Sequence, residues 1–133
     1  MTVSAFTNHI GEIIVCNGDS MEPTISSGDI VLGERLTIKF GKLKINDIVA
    51  LISPNDSNTL LCKRITHKEF EKVENYSLFY KTILPKGFIF VQGDNRQQSS
   101  DSRHFGPVPE GLVEVKLTFR IWPLDKIGWL SNC

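Results

Sequence analysis

Val113-Glu114-Val115-Lys116-Leu117-Thr118-Phe119-Arg120-Ile121 alternates apolar and polar side chains without a break. Period two marks a strand with one buried face, because successive side chains of an extended backbone leave on opposite sides. No other segment carries a comparable stripe at helical spacing. Upstream, short Val- and Ile-rich runs at Glu12 to Cys16, Asp29 to Leu36, Asp47 to Ser53, Thr59 to Thr66 and Phe88 to Gln92 read as further strands. Turn residues punctuate them: Asn17-Gly18-Asp19, Ser27-Gly28, Ile45-Asn46 and Pro54-Asn55-Asp56-Ser57-Asn58. Residues 67–86 are mixed and carry no clear pattern. Six or seven such strands predict a mostly antiparallel β-fold, a sandwich or partly closed barrel.

At 133 residues the chain is long enough for one core, and 1–133 reads as a single domain. Fifteen basic residues balance fifteen acidic ones, so no general field draws nucleic acid. Lys39, Lys42 and Lys44 cluster locally, and without aromatic interleaving they read as a solvated edge. Cys16, Cys62 and Cys133 form neither a metal spacing nor a disulfide framework, and the first two, in apolar segments, read as small core residues. His9, His67 and His104 fit no zinc motif, so neither a metal nor another cofactor is expected. The longest fully apolar run, Ile48-Val49-Ala50-Leu51-Ile52, falls far short of the roughly 20 residues that span a bilayer. The start resembles neither a secretory signal nor an Arg-rich transit peptide.

Two polar stretches carry the chemistry. The segment Gly93 to Gly106 packs Asp94, Asn95, Arg96, Ser99, Ser100, Asp101, Ser102, Arg103 and His104 between apolar runs. Alone it reads as a solvated surface loop; the company of a turn serine upstream and a lysine in an apolar strand favours a loop that orients that lysine. Gly18-Asp19-Ser20-Met21-Glu22-Pro23 places a serine two residues after a glycine that allows close substrate approach. Pro23 steers Glu22 away from helical angles, so Ser20 is expected on a kinked, extended segment. On local grounds Ser20 is an ordinary turn serine; as a nucleophile it needs a base. The Gly-x-Ser-x-Gly elbow fails at Glu22, and Arg103 is better placed than His104 to hold Asp101. Lys63, in Leu60-Leu61-Cys62-Lys63-Arg64-Ile65, is the better base, because an apolar strand disfavours its ammonium form. Ser99 would orient its amine without recharging it. Alone, Lys63 also reads as a surface side chain beside Arg64, and in a half-buried strand only one of the two points inward.

Ser20-Met21-x-Pro23-Thr24, Lys63-Arg64, and Gly93-Asp94-Asn95 with Ser99-x-Asp101-Ser102-Arg103 resemble the signature boxes of type I signal peptidases, membrane-bound Ser/Lys endopeptidases. Within that family, Cys62-Lys63-Arg64 and the ending Ile121-Trp122-Pro123-Leu124 are most similar to the mitochondrial inner membrane peptidases, in their first catalytic subunit. The resemblance implies a signal-peptidase type of β-fold, Ser20 as nucleophile, Lys63 as general base, Ser99 orienting Lys63, and an Asp101–Arg103 salt bridge holding the loop. It implies the Ser20 backbone N–H as an oxyanion donor and, with Gly18 lacking a hydroxyl, no side-chain donor there. It further implies precursor substrates with sorting presequences, the intermembrane-space side of the inner membrane, a related second subunit and a membrane surface as partners, and no nucleic acid. A bacterial-type signal peptidase at the outer face of the plasma membrane, a non-catalytic peptidase subunit and a self-cleaving repressor-type Ser/Lys domain are the alternatives. The last would bring a DNA-binding domain and an Ala-Gly cleavage site, which the chain lacks. Thr66-His67-Lys68-Glu69-Phe70 replaces the family's Gly-rich turn after Lys-Arg. Trp122, Trp129 and Leu130 suit a membrane interface, and equally core or partner packing.

Overall fold

The computed structural model describes residues 2–7, 11–74 and 82–130, with side chains from 11–74 and 83–130. The described residues form eleven strands: β1 (Thr2–Thr7), β2 (Gly11–Asn17), β3 (Ile30–Glu34), β4 (Ile48–Ser53), β5 (Asp56–His67), β6 (Lys72–Val73), β7 (Thr82–Ile83), β8 (Phe88–Gln92), β9 (Val108–Pro109), β10 (Val113–Trp122) and β11 (Gly128–Trp129). Single helical turns, α1 (Leu36–Lys39) and α2 (Ser102–Phe105), complete the frame. The strand count exceeds six or seven because of two-residue strands, which are too short for any periodicity to announce them. Part of the unpatterned 67–86 stretch, residues 75–81, lies outside the described residues.

The main sheet is antiparallel in the order β1-β2-β3-β10-β4-β5-β8-β9, with β11 added to β10. It curls until β1 meets β5 at one residue pair, Thr2 with Leu61, which makes it a partly closed barrel. The alternation in β10 holds from Val113 to Leu117, whose apolar members are buried, and weakens afterwards. There the register against β3 is irregular at Leu117/Phe119 and Arg120/Trp122, which disturbs the strict in-and-out alternation. Beyond it Trp122 and Trp129 are half or more exposed, Trp129 packs edge-on against Phe119, and Leu130 rests against the core.

β4 explains the position of the site. Ile48 and Ala50 pack into one core cluster with Ile14, Cys16, Met21, Ile25 and Val31. Val49 and Leu51 pack into a second with Ile65, Ile89, Val91 and Val108. Both faces of β4 are thus dry, which is why its sequence is a continuous apolar run. β5 lies beside it, joined through the tight Pro54-Asn55 turn, and inherits two covered faces. The connection after β5, where the family's glycines are missing, turns through Phe70 at φ +69°, and the Phe70 N–H donates to the Leu84 carbonyl. Cys16 and Cys62 are free thiols in the core, and contact with Cys16 together with burial pushes the Cys62 thiol well up. No helix among the described residues is long and apolar enough to cross a membrane.

Candidate active site

Lys63 is 1% exposed in the middle of β5. Its Nζ donates to Ser99 Oγ at 3.1 Å. Ser99 Oγ in turn donates to Asp101 Oδ2 at 2.6 Å and accepts from the Gly93 N–H at 3.2 Å. The hydroxyl proton is therefore committed to the carboxylate, and its lone pairs face the amine and the amide. Asp101, fully buried, caps α2 and accepts from the Arg103 N–H, from Arg103 Nε and Nη2, and from Gly93 N–H. Burial alone would push its carboxyl up; the bonds from Arg103, Ser99 and Gly93 bring it down to about 2. Burial moves the Lys63 amine down from the ordinary lysine range, against the pull of the Asp101 charge and aided by Arg103. His104, with its side chain 60% exposed, accepts the Asp101 N–H at Nδ1 and lies 3.9 Å from Asp101 Oδ1, making no hydrogen bond to the Lys63–Ser99–Asp101 side chains.

Ser20 is buried, 3% exposed, and sits in a turn rather than on a kinked extended segment. The Glu22 N–H donates to the Asp19 carbonyl and the Ile25 N–H to the Met21 carbonyl, and these local bonds close the backbone in a way that Pro23 does not prevent. The turn is seated by the polar loop. The Asn95 N–H donates to the Ser20 carbonyl at 2.8 Å, Asn95 Nδ2 to the Asp19 carbonyl at 3.1 Å, and the Asp94 N–H points at Met21 Sδ at 3.4 Å. Gly93 makes the approach possible: a Cβ there would stand 2.3 Å from Ser99 Oγ and 2.5 Å from the Ser20 carbonyl oxygen. The turn bearing Ser20 and the hydroxyl that holds Lys63 thus converge on one backbone position. Gly18 is exposed at φ +99°, a conformation suited to glycine, and its N–H donates to Ser27 Oγ.

Arg64 is buried as well, 8% exposed, so both members of the pair point into dry surroundings. The expectation that only one could be inward assumed a half-buried strand, whereas β5 is covered on both faces. Arg64 Nε and Nη2 grip Asp94 at 2.9 and 2.8 Å, and Nη1 donates to the Asn46 carbonyl. Asp94 also accepts from Thr24 Oγ1 at 2.5 Å. Burial raises its carboxyl, and the bonds from Arg64 and Thr24 more than reverse that. From the other side Arg120 Nη1 donates to the Thr24 carbonyl and to Asp29, so the end of the turn is clamped twice.

A family model described as signal peptidase, peptidase S26, matches residues 1–67 and 66–122. The chain belongs to that family. The mitochondrial inner membrane protease subunit 1 of Homo sapiens is 40% identical over 126 residues, covering 92% of this chain and 76% of that protein. Its counterpart in Schizosaccharomyces pombe is 36% identical, covering 98% and 87%. The subunit 2 protein of Mus musculus is 28% identical, covering 91% and 73%. A signal peptidase I of Enterococcus faecalis aligns in structure with a TM-score of 0.49 at 27% identity, over 58% of this chain and 97% of that one.

In this signal peptidase the sequence-derived residues Lys63, Ser99, Asp101 and Arg103 form one bonded series. Ser20 and Gly18 lie on the adjoining turn. Sequence reasoning missed the second series, Arg64–Asp94–Thr24, and the seating of the turn by Asn95. An arginine inside an apolar strand was the available signal, since a cation that cannot shed its proton demands a buried carboxylate.

Proposed function

We propose that the chain is a single-domain Ser/Lys endopeptidase that removes N-terminal sorting presequences from proteins of the mitochondrial intermembrane space, acting on that side of the inner membrane. Ser20 is the nucleophile and Lys63 the general base. The observation that carries the reading is the Lys63 amine, buried, lowered by desolvation, and bonded to a neutral hydroxyl instead of a carboxylate. A neutral amine there takes the Ser20 proton as Oγ attacks the scissile carbonyl. The Ser20 N–H stabilises the oxyanion, and Lys63 passes the proton to the leaving amine. Water, giving a proton to the Lys63 amine, then attacks the acyl carbon, and the ester bond breaks as that proton passes to Ser20 Oγ. Ser99 holds the amine in place, and the Asp101–Arg103 pair holds Ser99. The relatives carry subunit names, which supports a related second subunit as partner, and their inner-membrane names support that location.

Incubation with a presequence-bearing precursor tests this. Ser20→Ala and Lys63→Met are each expected to lower kcat/KM by about 10⁴-fold or more, and Ser99→Ala by roughly 10- to 100-fold. The rate should rise with pH as a single group loses its proton, with an apparent pKa well below the ~10.4 of free lysine. Full activity in Ser20→Ala would remove the nucleophile, and an unchanged rate in Lys63→Met would end the Ser/Lys mechanism.

A further inference from the structure

Leu36 to Ile45 contains three lysines and no acidic residue, in a chain whose charges balance only when these three are counted. The ammonium groups of Lys39, Lys42 and Lys44 make no ion pair or hydrogen bond among the described residues; Lys86 and Lys126 are also unpaired there but stand apart from one another, whereas Lys63, Lys68, Lys72 and Lys116 are all bonded. Among these lysines, large apolar side chains face water: Leu36 at 55%, Phe40 at 63% and Ile45 at 40% exposure. Phe40, between Lys39 and Lys42, is the aromatic interleaving that the solvated-edge reading overlooked. The segment is anchored, not loose: Leu43 is buried in the second core cluster and its carbonyl accepts from Lys68 Nζ at 2.6 Å. The exposed hairpin residues Trp122, Leu124, Ile127 and Trp129 differ, because Asp125 and Lys126 between them carry opposite signs and select no partner.

We propose that residues 36–45 dock on an anionic lipid surface, Phe40 and Leu36 entering the headgroup layer while the three ammoniums meet lipid phosphates. Apolar side chains ringed by long cationic stems suit that boundary. Each lysine near an anionic surface adds affinity, so the three together are worth roughly 100-fold. An acidic protein partner fits less well, because lysine is depleted at the centre of protein interfaces.

The test is co-sedimentation of the full chain with vesicles of phosphatidylcholine, alone or with about a third phosphatidylglycerol. Binding is expected only with the anionic lipid, and should fall at least tenfold between about 0.1 and about 0.5 M salt. The triple change Lys39→Glu, Lys42→Glu, Lys44→Glu should abolish it. Phe40→Ser, which leaves the charge alone, should weaken it about tenfold. Melting temperature and cleavage of a short soluble peptide should not change in either variant, which separates this result from the protease mechanism. Equal binding to both vesicles, full binding by the charge-reversed variant, or equally tight binding to polyglutamate would overturn the proposal.

Discussion

Lys63 and Arg64 are neighbours in one strand, both buried, and their surroundings are opposite in kind. Arg64 meets its carboxylate directly, with two parallel bonds to Asp94. Lys63 meets a hydroxyl, and the nearest carboxylate in its series, Asp101, is one bond further away. A guanidinium keeps its proton in any protein environment, so a direct ion pair is the stable way to bury it. An amine can be neutralised by desolvation, provided that no anion sits against it. The difference teaches that placing a single hydroxyl between cation and carboxylate converts a structural charge into a candidate base.

The strongest way to break the contrast is Lys63→Met. Activity should fall by about 10⁴-fold, yet the melting temperature at neutral pH should rise, because a buried amine is replaced by an apolar side chain of similar length. The sign follows from linkage. The folded-state pKa of Lys63 is lowered, so the unfolded chain holds more protons, and wild-type stability climbs as pH rises toward the ordinary lysine value. The variant should lack that climb in melting curves across neutral and alkaline pH. Gly93→Ala comes next. It removes no chemical group, but its methyl must displace Ser99 or the Ser20 carbonyl, and a loss of roughly 100-fold in kcat is expected from misplacement alone. A wild-type rate would mean that the convergence at Gly93 does not matter.

How far the sequence foretold this contrast depends on what each residue's neighbours can reveal. The strand at 88–92 matches the structure at both ends, and that at 113–121 falls short by one residue, because alternation or a turn marked their limits. Burial of Lys63 was suggested by its apolar neighbours, although alone it also read as a surface side chain, and the choice of Ser99 as its partner leaned on the family resemblance. Burial of Arg64 was not suggested, because alternation in one strand says nothing of a second layer that covers its other face. The turn at Ser20 was misread for a related reason: a proline restricts its predecessor locally, whereas the bonds from Asn95 arrive from far along the chain. Phe40 was overlooked among its lysines, because only coordinates show that it faces water and that those lysines lack partners among the described residues.

Asp94→Asn sharpens the comparison from the other side. It leaves Arg64 buried without its anion and frees one hold on Thr24, so a loss of about 2 kcal/mol in stability is expected, with about tenfold in kcat. Denaturant titration separates the two effects, and an unchanged midpoint would mean that Arg64 finds another anion.

Arg64→Lys should have the smallest effect, and its value lies in the pH profile. The charge stays and the paired geometry goes, so a few-fold loss in rate is expected, with the acid limb where it was. Ser99→Ala should instead move that limb to higher pH, because deleting the hydroxyl leaves Lys63 facing the Asp101 carboxylate with nothing in between, and a nearer anion favours the ammonium. Measured together, the two variants ask whether the position of the acid limb belongs to residue 63 alone. If Arg64→Lys shifted it as far as Ser99→Ala, the two cations would be one coupled system, and the separation argued for β5 would fail.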